Sequence, residues 1–180
     1  MSRNALIIFA TGLDRPGIVD RMAGLAYESG CNLEDSRMAI LGEDFALIVL
    51  VAGLQEDLSR LKKGLEPLSR ELGLTIQVKD TVAGSRARTS SEPAIRYRIH
   101  AVAMDHPGIL HKLTHVLSAH RVNVASCDTS LCNAPVTGTP VFSVRIDAEV
   151  PAGVAISVLR KELAQVAEAE NVDLELRAAE

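Results

Sequence analysis

The chain has 180 residues, of which 47% are hydrophobic and 23% are charged, and this composition is typical of globular rather than disordered or fibrous proteins. A formal net charge of -4, with only 3% aromatic residues and no tryptophan, argues against a broad nucleic-acid-binding surface and against base-stacking platforms. Three cysteines are too few for a disulfide framework and predict a cytoplasmic protein. The longest apolar stretch, at residues 45–54, is about half the ~20 residues that a bilayer span requires, so no membrane segment is predicted.

The chain begins with an apolar, β-rich run at residues 6–9. This run predicts a first strand rather than a signal peptide, because polar residues interrupt it and no small-residue cleavage site follows. A helix is predicted next, with Pro16 in its first turn, where the missing N–H costs nothing, and Gly30 at its end. Its apolar face is marked by residues spaced three or four apart: Ile18, Met22, Leu25 and Ala26.

Two β-rich runs, at residues 31–41 and 44–52, are joined by a glycine-containing turn and predict a hairpin. Leucines that recur every three or four positions between residues 54 and 72 predict a long amphipathic helix. Pro67 lies inside this pattern and is expected to kink the helix or end it early. A last strand is predicted at residues 74–78.

The second half of the chain repeats the first at an offset of 91 residues. Asp14-Arg15-Pro16-Gly17-Ile18 returns as Asp105-His106-Pro107-Gly108-Ile109, and Asn32 returns as Asn123. A few residues are inserted in the second copy near positions 133–140. The repeat therefore predicts two copies of one fold.

The second copy is expected to contain the same elements as the first. It opens with the apolar segment 95–104, and its first helix carries Ile109, Leu110, Leu113, Val116 and Leu117 on one face. A strand is predicted at residues 141–146. Pro151 is expected to open the second helix, whose apolar face holds Leu159, Leu163 and Val166. Residues 172–176 alternate in polarity and predict the closing strand.

The order βαββαβ in each copy is that of the α+β ferredoxin-like sandwich, an antiparallel sheet with both helices on one face. We expect a first domain at residues 1–82, a small polar linker at 83–94 and a second domain at 95–180. A half of about 80 residues is marginal alone, and its sheet has edge strands with unpaired backbone groups. The copies are therefore expected to pair, within or between chains, and the protein is expected to form a homodimer.

The repeated Asp-x-Pro-Gly-Ile segment joins a strand to a helix and is the first candidate binding site. A helix N-terminus presents unpaired N–H groups that attract anions, and a glycine lets a ligand approach the backbone. The alternative interpretation is a well-made helix start in which Asp14 and Asp105 act as caps. The candidate ligand-binding residues are Asp14, Arg15, Pro16, Gly17 and Ile18, and Asp105, His106, Pro107, Gly108 and Ile109.

Asn32 and Asn123 are the second candidate, because each is expected to open a strand beside the loop. A side-chain amide offers both a donor and an acceptor, so it suits the ammonium of a free amino acid whose carboxylate binds near Gly17 or Gly108. The alternative is a pair of turn residues with left-handed backbone. Valine at either glycine should block binding, and the fold should survive if the glycine has ordinary helical φ and ψ.

All five histidines fall in the second half of the chain. His111 and His115, four apart on a predicted helix, suggest a metal site in which Cys127 and Cys132 are the further candidate ligands. The first copy has no counterpart, and surface histidines are the default interpretation. Cys31 and Cys127 are expected to be small buried thiols. No nucleophile, Walker or dinucleotide motif is present, so no cofactor, metal or catalytic residue is predicted. A His-rich metal-binding protein or a small metabolic enzyme is the alternative function.

The doubled βαββαβ pattern with Asp-x-Pro-Gly-Ile after the first strand resembles tandem ACT domains, which are small amino-acid-sensing modules. Residues 31–42 (Cys-Asn-Leu-Glu-Asp-Ser-Arg-Met-Ala-Ile-Leu-Gly) and 137–142 (Thr-Gly-Thr-Pro-Val-Phe) are similar to the glycine cleavage system transcriptional repressor family. This resemblance covers nearly the whole chain. It implies a regulator without enzymatic activity and without a DNA-reading module, with glycine as effector and with control exerted through a separate DNA-binding activator. It also implies that the two loops and the two asparagines contact the ligand.

Overall fold

The computed structural model describes residues 4–82, 93–134 and 137–179. The chain divides into two compact units, Met1–Arg86 and Ala87–Glu180. Most of the predicted linker, residues 83–92, lies outside the described residues. Within the described ranges, no helix has both the length and the apolar character needed to cross a membrane.

Both units have the predicted βαββαβ order. The first unit contains β1 (Asn4–Leu13), α1 (Ile18–Glu28), β2 (Asn32–Leu41), β3 (Asp44–Ala52), α2 (Gln55–Leu72) and β4 (Thr75–Val82). The second contains β5 (Ala94–Met104), α3 (Ile109–Ala119), β6 (Asn123–Asn133), β7 (Pro140–Pro151), α4 (Ile156–Glu170) and β8 (Asp173–Ala178). The antiparallel sheets have the strand orders β2-β3-β1-β4 and β6-β7-β5-β8. The α+β ferredoxin-like prediction is confirmed.

The core of each unit lies between one face of its sheet and its two helices. Along β1, Leu6, Ile8 and Ala10 are at most 2% exposed, while Phe9 between them is 38% exposed. This alternation puts every second residue under the helices. The predicted leucine stripe of α2 packs into the same core through Leu58, Leu61, Leu65, Leu68 and Leu72. Among the described residues, no helix of the same unit covers the opposite face of the sheet, which we call the open face.

A bulge confirms that the two units share one design. The register of β2 on β3 shifts between Leu33 and Asp35, and the register of β6 on β7 shifts between Val124 and Ser126. These positions are 91 residues apart, the same offset as the sequence repeat. A bulge strengthens the local twist and redirects side chains, so both units share this local geometry as well as the strand order.

The expectation that Pro67 ends its helix early is wrong, because α2 runs through Pro67 to Leu72. Pro67 has no N–H to donate to the carbonyl of Lys63, four residues earlier in the helix. Both residues are exposed, so water can hydrogen-bond that carbonyl. Leu68 and Leu72 are buried on the other side of the helix. Burying two leucines, at about 1.5–3 kcal/mol each, offsets the roughly 3 kcal/mol that an interior proline costs.

The expectation that Pro151 opens the second helix of the second unit is also wrong. Pro151 is the last residue of β7, where it pairs with Ala94, and α4 begins at Ile156. Strand β7 is longer than the predicted run at residues 141–146 because its pairing with β5 continues to that point. A proline is tolerated at a strand terminus, so the residue type alone did not distinguish the two cases.

Gly12 provides a test of the packing between β1 and the segment before β4. A Cβ at Gly12 would lie 2.8 Å from Leu74 Cδ2 and 2.9 Å from the carbonyl oxygen of Gly73. Gly12→Ala should therefore lower the free energy of unfolding by about 1–3 kcal/mol through overpacking. The control is Gly24→Ala in α1, where no atom lies within 4 Å and alanine should add about 0.5–1 kcal/mol. Urea unfolding of the full chain measures both, and equal changes would contradict the packing.

Candidate functional site

The two candidate loops are held at both ends by neighbouring elements. The loop at residues 14–17 connects β1 to α1, and the loop at 105–108 connects β5 to α3. The N–H of Asp14 donates to the carbonyl of Glu43 at 2.8 Å, and the N–H of Asp105 donates to the carbonyl of Pro140 at 3.0 Å. At the other end, Ile18 and Ile109 are each 2% exposed and anchor the first helical residue in the core.

The helix caps are the glycines. Gly17 and Gly108 are the N-cap residues, with φ values of 94° and 102°, and no side chain caps α1 or α3 by a hydrogen bond. The capping interpretation for Asp14 and Asp105 is therefore wrong, and Pro16 lies in the turn before the helix rather than in its first turn. The first-turn N–H groups of both helices have no side-chain acceptor and can receive an anion.

The left-handed backbone of the two glycines also corrects the expected effect of valine. A Cβ at Gly17 would have no atom within 4 Å, and at Gly108 only Lys112 Cε at 3.9 Å, so space is open at both positions. Valine would nevertheless be strained, because β-branched residues avoid positive φ. The condition of ordinary helical φ and ψ is not met, and a valine variant would confuse strain with blocked binding.

The second residue of each loop binds the C-terminus of the other helix of its unit. Arg15 Nη2 donates to the carbonyl of Glu71 at 2.7 Å. His106, its counterpart, has Nε2 at 3.3 Å from the carbonyl of Glu170. Nitrogen donors suit the free carbonyls of a helix C-terminus. Arg15 and His106 therefore hold the loop in place in this structure.

A second contact between the helices accompanies each of these tethers. Arg21 Nη2 lies 2.6 Å from Glu71 Oε2, and Lys112 Nζ lies 2.6 Å from Glu170 Oε1. The hydrogen bond from Lys112, with the charges of Lys112 and His106, holds the pKa of Glu170 below its ordinary value against the opposing effect of burial. Sequence reasoning missed this pair, although the signal was present: Arg21 and Lys112 are 91 residues apart and keep their charge.

Asn32 and Asn123 begin β2 and β6 as predicted, but they do not lie beside the loops. Asn32 pairs with Ala52, which pairs with Ala5, and Asp14 lies nine residues further along the chain from Ala5. At about 3.3 Å per residue the asparagine is about 30 Å from its own loop. The chain returns through α1 to the end of the sheet where β1 began. The expectation that Asn32 lies beside the loop is therefore wrong.

Asn123 is equally far from the second loop. It pairs with Glu149, which pairs with Arg96, nine residues before Asp105. Its Nδ2 donates to Glu149 Oε2 at 3.1 Å. The structure therefore brings together the five residues of each loop and separates them from the asparagine of the same unit.

The candidate metal ligands of the second unit are not gathered. The rings of His111 and His115 have centroids 6.1 Å apart on an exposed face of α3. Cys127 pairs with Ile146 and Cys132 with Val141, so the two thiols lie on opposite faces of β6. Within residues 4–82, 93–134 and 137–179, no three His, Cys, Asp or Glu side chains are placed to hold an ion.

The two predicted buried thiols differ. Cys31 is buried, and its burial, with the nearby charge of Asp57, raises the pKa of its thiol. Cys127 is exposed, so that prediction is wrong. It lies on β6, an edge strand. Neither thiol is paired with a histidine base among the described residues, as nucleophilic activation would require.

Replacing Lys112 should change how the stability of the second unit depends on pH. The folded pKa of Glu170 is depressed, so its contribution is present above the ordinary carboxyl range near pH 4 and is lost as pH falls through the lower folded value. Lys112→Met should lower the thermal midpoint at pH 7, and its difference from the parent should shrink towards pH 3, with Lys112→Arg as control. A difference that is constant with pH would contradict the pairing.

Comparisons with known proteins agree with the fold. Residues 4–79 match the family model of the ACT domain. The chain is 32% identical to the glycine cleavage system transcriptional repressor of Escherichia coli (strain K12) over 84% of this chain and 77% of that protein. A UPF0237 protein of Methanococcus maripaludis is 33% identical over 41% of this chain and 84% of its own length.

Two solved structures match nearly the whole chain. An unknown protein from Galdieria sulphuraria is 26% identical, with a TM-score of 0.81 and complete coverage of both chains. A candidate glycine cleavage system transcriptional repressor is 26% identical, with a TM-score of 0.71 and 98% of both chains covered. Because the identity to the E. coli repressor extends over most of both sequences, the chain belongs to the glycine cleavage system transcriptional repressor family of ACT-domain proteins.

Proposed function

We propose that this protein is a non-enzymatic regulator that binds a free amino acid, glycine in the first instance, at its β–α loops. In this proposal the ligand changes its contact with a separate DNA-binding activator in the cytoplasm and so controls the glycine cleavage genes. The observation that carries the proposal is the pair of helix N-termini that have glycine caps and no side-chain acceptor. Family membership supports the regulatory role.

The loop chemistry suits the carboxylate of the ligand. The first-turn N–H groups of α1 and α3 and the positive end of the helix dipole bind an anion, and the cap glycines have no side chain to obstruct it. The exposed carboxylates of Asp14 and Asp105, at the start of the same loops, offer oxygens for the ammonium group. A small ligand with both charges can therefore satisfy both partners at one loop.

The asparagines enter this proposal through a second copy of the chain. All ten residues of β2 are exposed, including Leu33, Met38 and Ile40, and such an edge invites pairing with another strand. Antiparallel pairing of two β2 strands would bring Asn32 of one chain level with the loop of the other. The homodimer of the proposal would thus place the asparagine of one chain and the loop of the other at the same end of a joined sheet, about 14 Å apart across the strands, instead of about 30 Å apart within one unit.

A pair of variants that are matched in size and differ in charge tests the ligand site. Aspartate and asparagine both tolerate left-handed backbone, so Gly17→Asp with Gly108→Asp and Gly17→Asn with Gly108→Asn should share a similar strain cost of about 1–3 kcal/mol. Only the aspartates place a negative charge on the helix N-terminus. We expect them to weaken glycine binding by about tenfold or more relative to the asparagines, measured by calorimetry.

The controls separate failure of the site from failure of the function. A thermal-shift screen of the parent protein with each of the twenty amino acids shows whether any of them binds. If the parent binds glycine or another amino acid and the aspartate variants bind it equally well, the loops are not the site. If none of the twenty stabilises the parent protein, amino-acid sensing itself is excluded.

Direct DNA binding should be negligible. The chain has 23 acidic against 19 basic residues, so its binding would release few counterions from the phosphate backbone of DNA. We expect no band shift of the glycine cleavage promoter by the pure protein, and a shift that changes only when the DNA-binding activator is also present. A sequence-selective, salt-dependent shift by the protein alone would refute the indirect mechanism.

A further inference from the structure

The open faces of the two sheets differ at matching positions. In the first sheet, Ile7 pairs with Leu50 and Phe9 pairs with Ile48. The matching pairs in the second sheet are Arg98 with Asp147 and His100 with Arg145. Four apolar positions of one unit are therefore polar or charged in the other, although the helix-covered faces of both sheets remain apolar.

The difference changes the character of a groove on each open face. The groove of the first unit has a volume of about 210 Å³, and Ile7, Ile48 and Leu50 are among its lining residues. The groove of the second unit has a volume of about 490 Å³. Its lining consists of Arg98, His100, Arg145, Glu175, Arg177, Ala178 and Ala179. Three guanidinium groups thus converge on it.

Two of the three arginines that line this groove form ion pairs. Arg98 Nε donates to Asp147 Oδ1 at 2.8 Å, and Arg177 pairs with Glu175. Arg145 has no carboxylate within 4.0 Å among the described residues. The side chains of Arg98 and Arg177 are 55% and 74% exposed, so the groove is open to solutes.

The strand register places two arginines of the groove opposite each other. Arg98 lies directly opposite Arg177 on β8, and like charges that face each other across strands destabilise a sheet. Arg98 also faces Asp147, and Arg145 faces Asp128 on β6, so carboxylates offset part of this charge. A bound anion beside Arg98 and Arg177 would relieve the repulsion between these two arginines.

We propose that the groove on the open face of the second sheet binds a phosphate group, either as free phosphate or on a small phosphorylated molecule. Arg145 supplies the unpaired guanidinium, and Arg98 and Arg177 contribute their remaining N–H donors. Guanidinium groups bind tetrahedral oxyanions through paired N–H donors, which favours phosphate over a monovalent halide. The site lies along the middle of the strands, with His100 five residues before Asp105, so it is separate from the proposed amino-acid loop.

The test uses the full-length protein and replaces Arg145 by the residue at the matching position of the first sheet. Inorganic phosphate is titrated by calorimetry and thermal shift against sodium chloride of equal ionic strength. Parent protein should bind phosphate, and Arg145→Ile should weaken that binding by about tenfold or more. Arg96→Ile, on the same face of β5 but outside the groove lining, should change it less than twofold. Without phosphate, Arg145→Ile should still melt as a folded protein, because Arg145 is exposed and lies outside the core.

Further titrations identify the ligand and define the outcomes that would contradict the proposal. Glycerol phosphate that binds more tightly than inorganic phosphate supports a phosphorylated small molecule, and the reverse order supports the free ion. A response to chloride equal to that to phosphate, or equal losses in the Arg145 and Arg96 variants, would overturn the site as simple screening of surface charge. Much tighter binding of a DNA duplex, with a steep dependence on salt, would overturn it in favour of nucleic acid.

Discussion

Burial of one sheet face beneath two helices is the constraint on which each unit depends. The covered face supplies the apolar core in both units, and the strand order puts β1 and β5 in interior positions of their sheets. A central strand followed by a helix has to leave the sheet at one end and turn back over the covered face. The two β–α loops, with their open helix N-termini, are the product of that turn.

The same constraint explains why the two units could diverge. Successive residues of a strand point to opposite faces, so a substitution at Ile7 or Ile48 leaves the residues beneath the helices in place. The second unit has Arg98 and Arg145 at these positions and still buries Ile99 and Ile146 at no more than 1% exposure. The two units therefore share an apolar core and differ in the residues of their open faces.

Much of this arrangement could be predicted from the sequence. The offset of 91 residues and the leucine spacing of α2 identified two βαββαβ units and the order of their elements, because periodicity reports directly on which face is buried. The misplacement of Asn32 had a different origin. A strand that follows a crossover helix begins at the far end of the sheet, so the position of Asn32 is set by topology and not by its sequence distance from the loop.

Backbone conformation was the other limit. Asp14 in an Asp-x-Pro-Gly segment is typical of a helix cap, but the chain uses Gly17 with positive φ instead, and residue type alone does not report φ. The early end expected at Pro67 failed for a similar reason, since tertiary burial of Leu68 and Leu72 outweighed the local cost. Local signals were correct where packing reinforced them and wrong where packing opposed them.

In the proposed function, each loop lies at a junction that can transmit the effect of ligand binding to the rest of its unit. Each is joined to a neighbouring strand connection through Asp14 or Asp105, and to the end of the other helix through Arg15 or His106. A ligand that prefers one arrangement of this junction by 1–3 kcal/mol would change partner affinity by about 5- to 150-fold. The two junctions are unequal, because the guanidinium of Arg15 approaches its carbonyl to 2.7 Å and the imidazole of His106 only to 3.3 Å. Arg15 therefore holds the first loop more closely than His106 holds the second, and in the proposed function the closer tether favours the first loop as the ligand site.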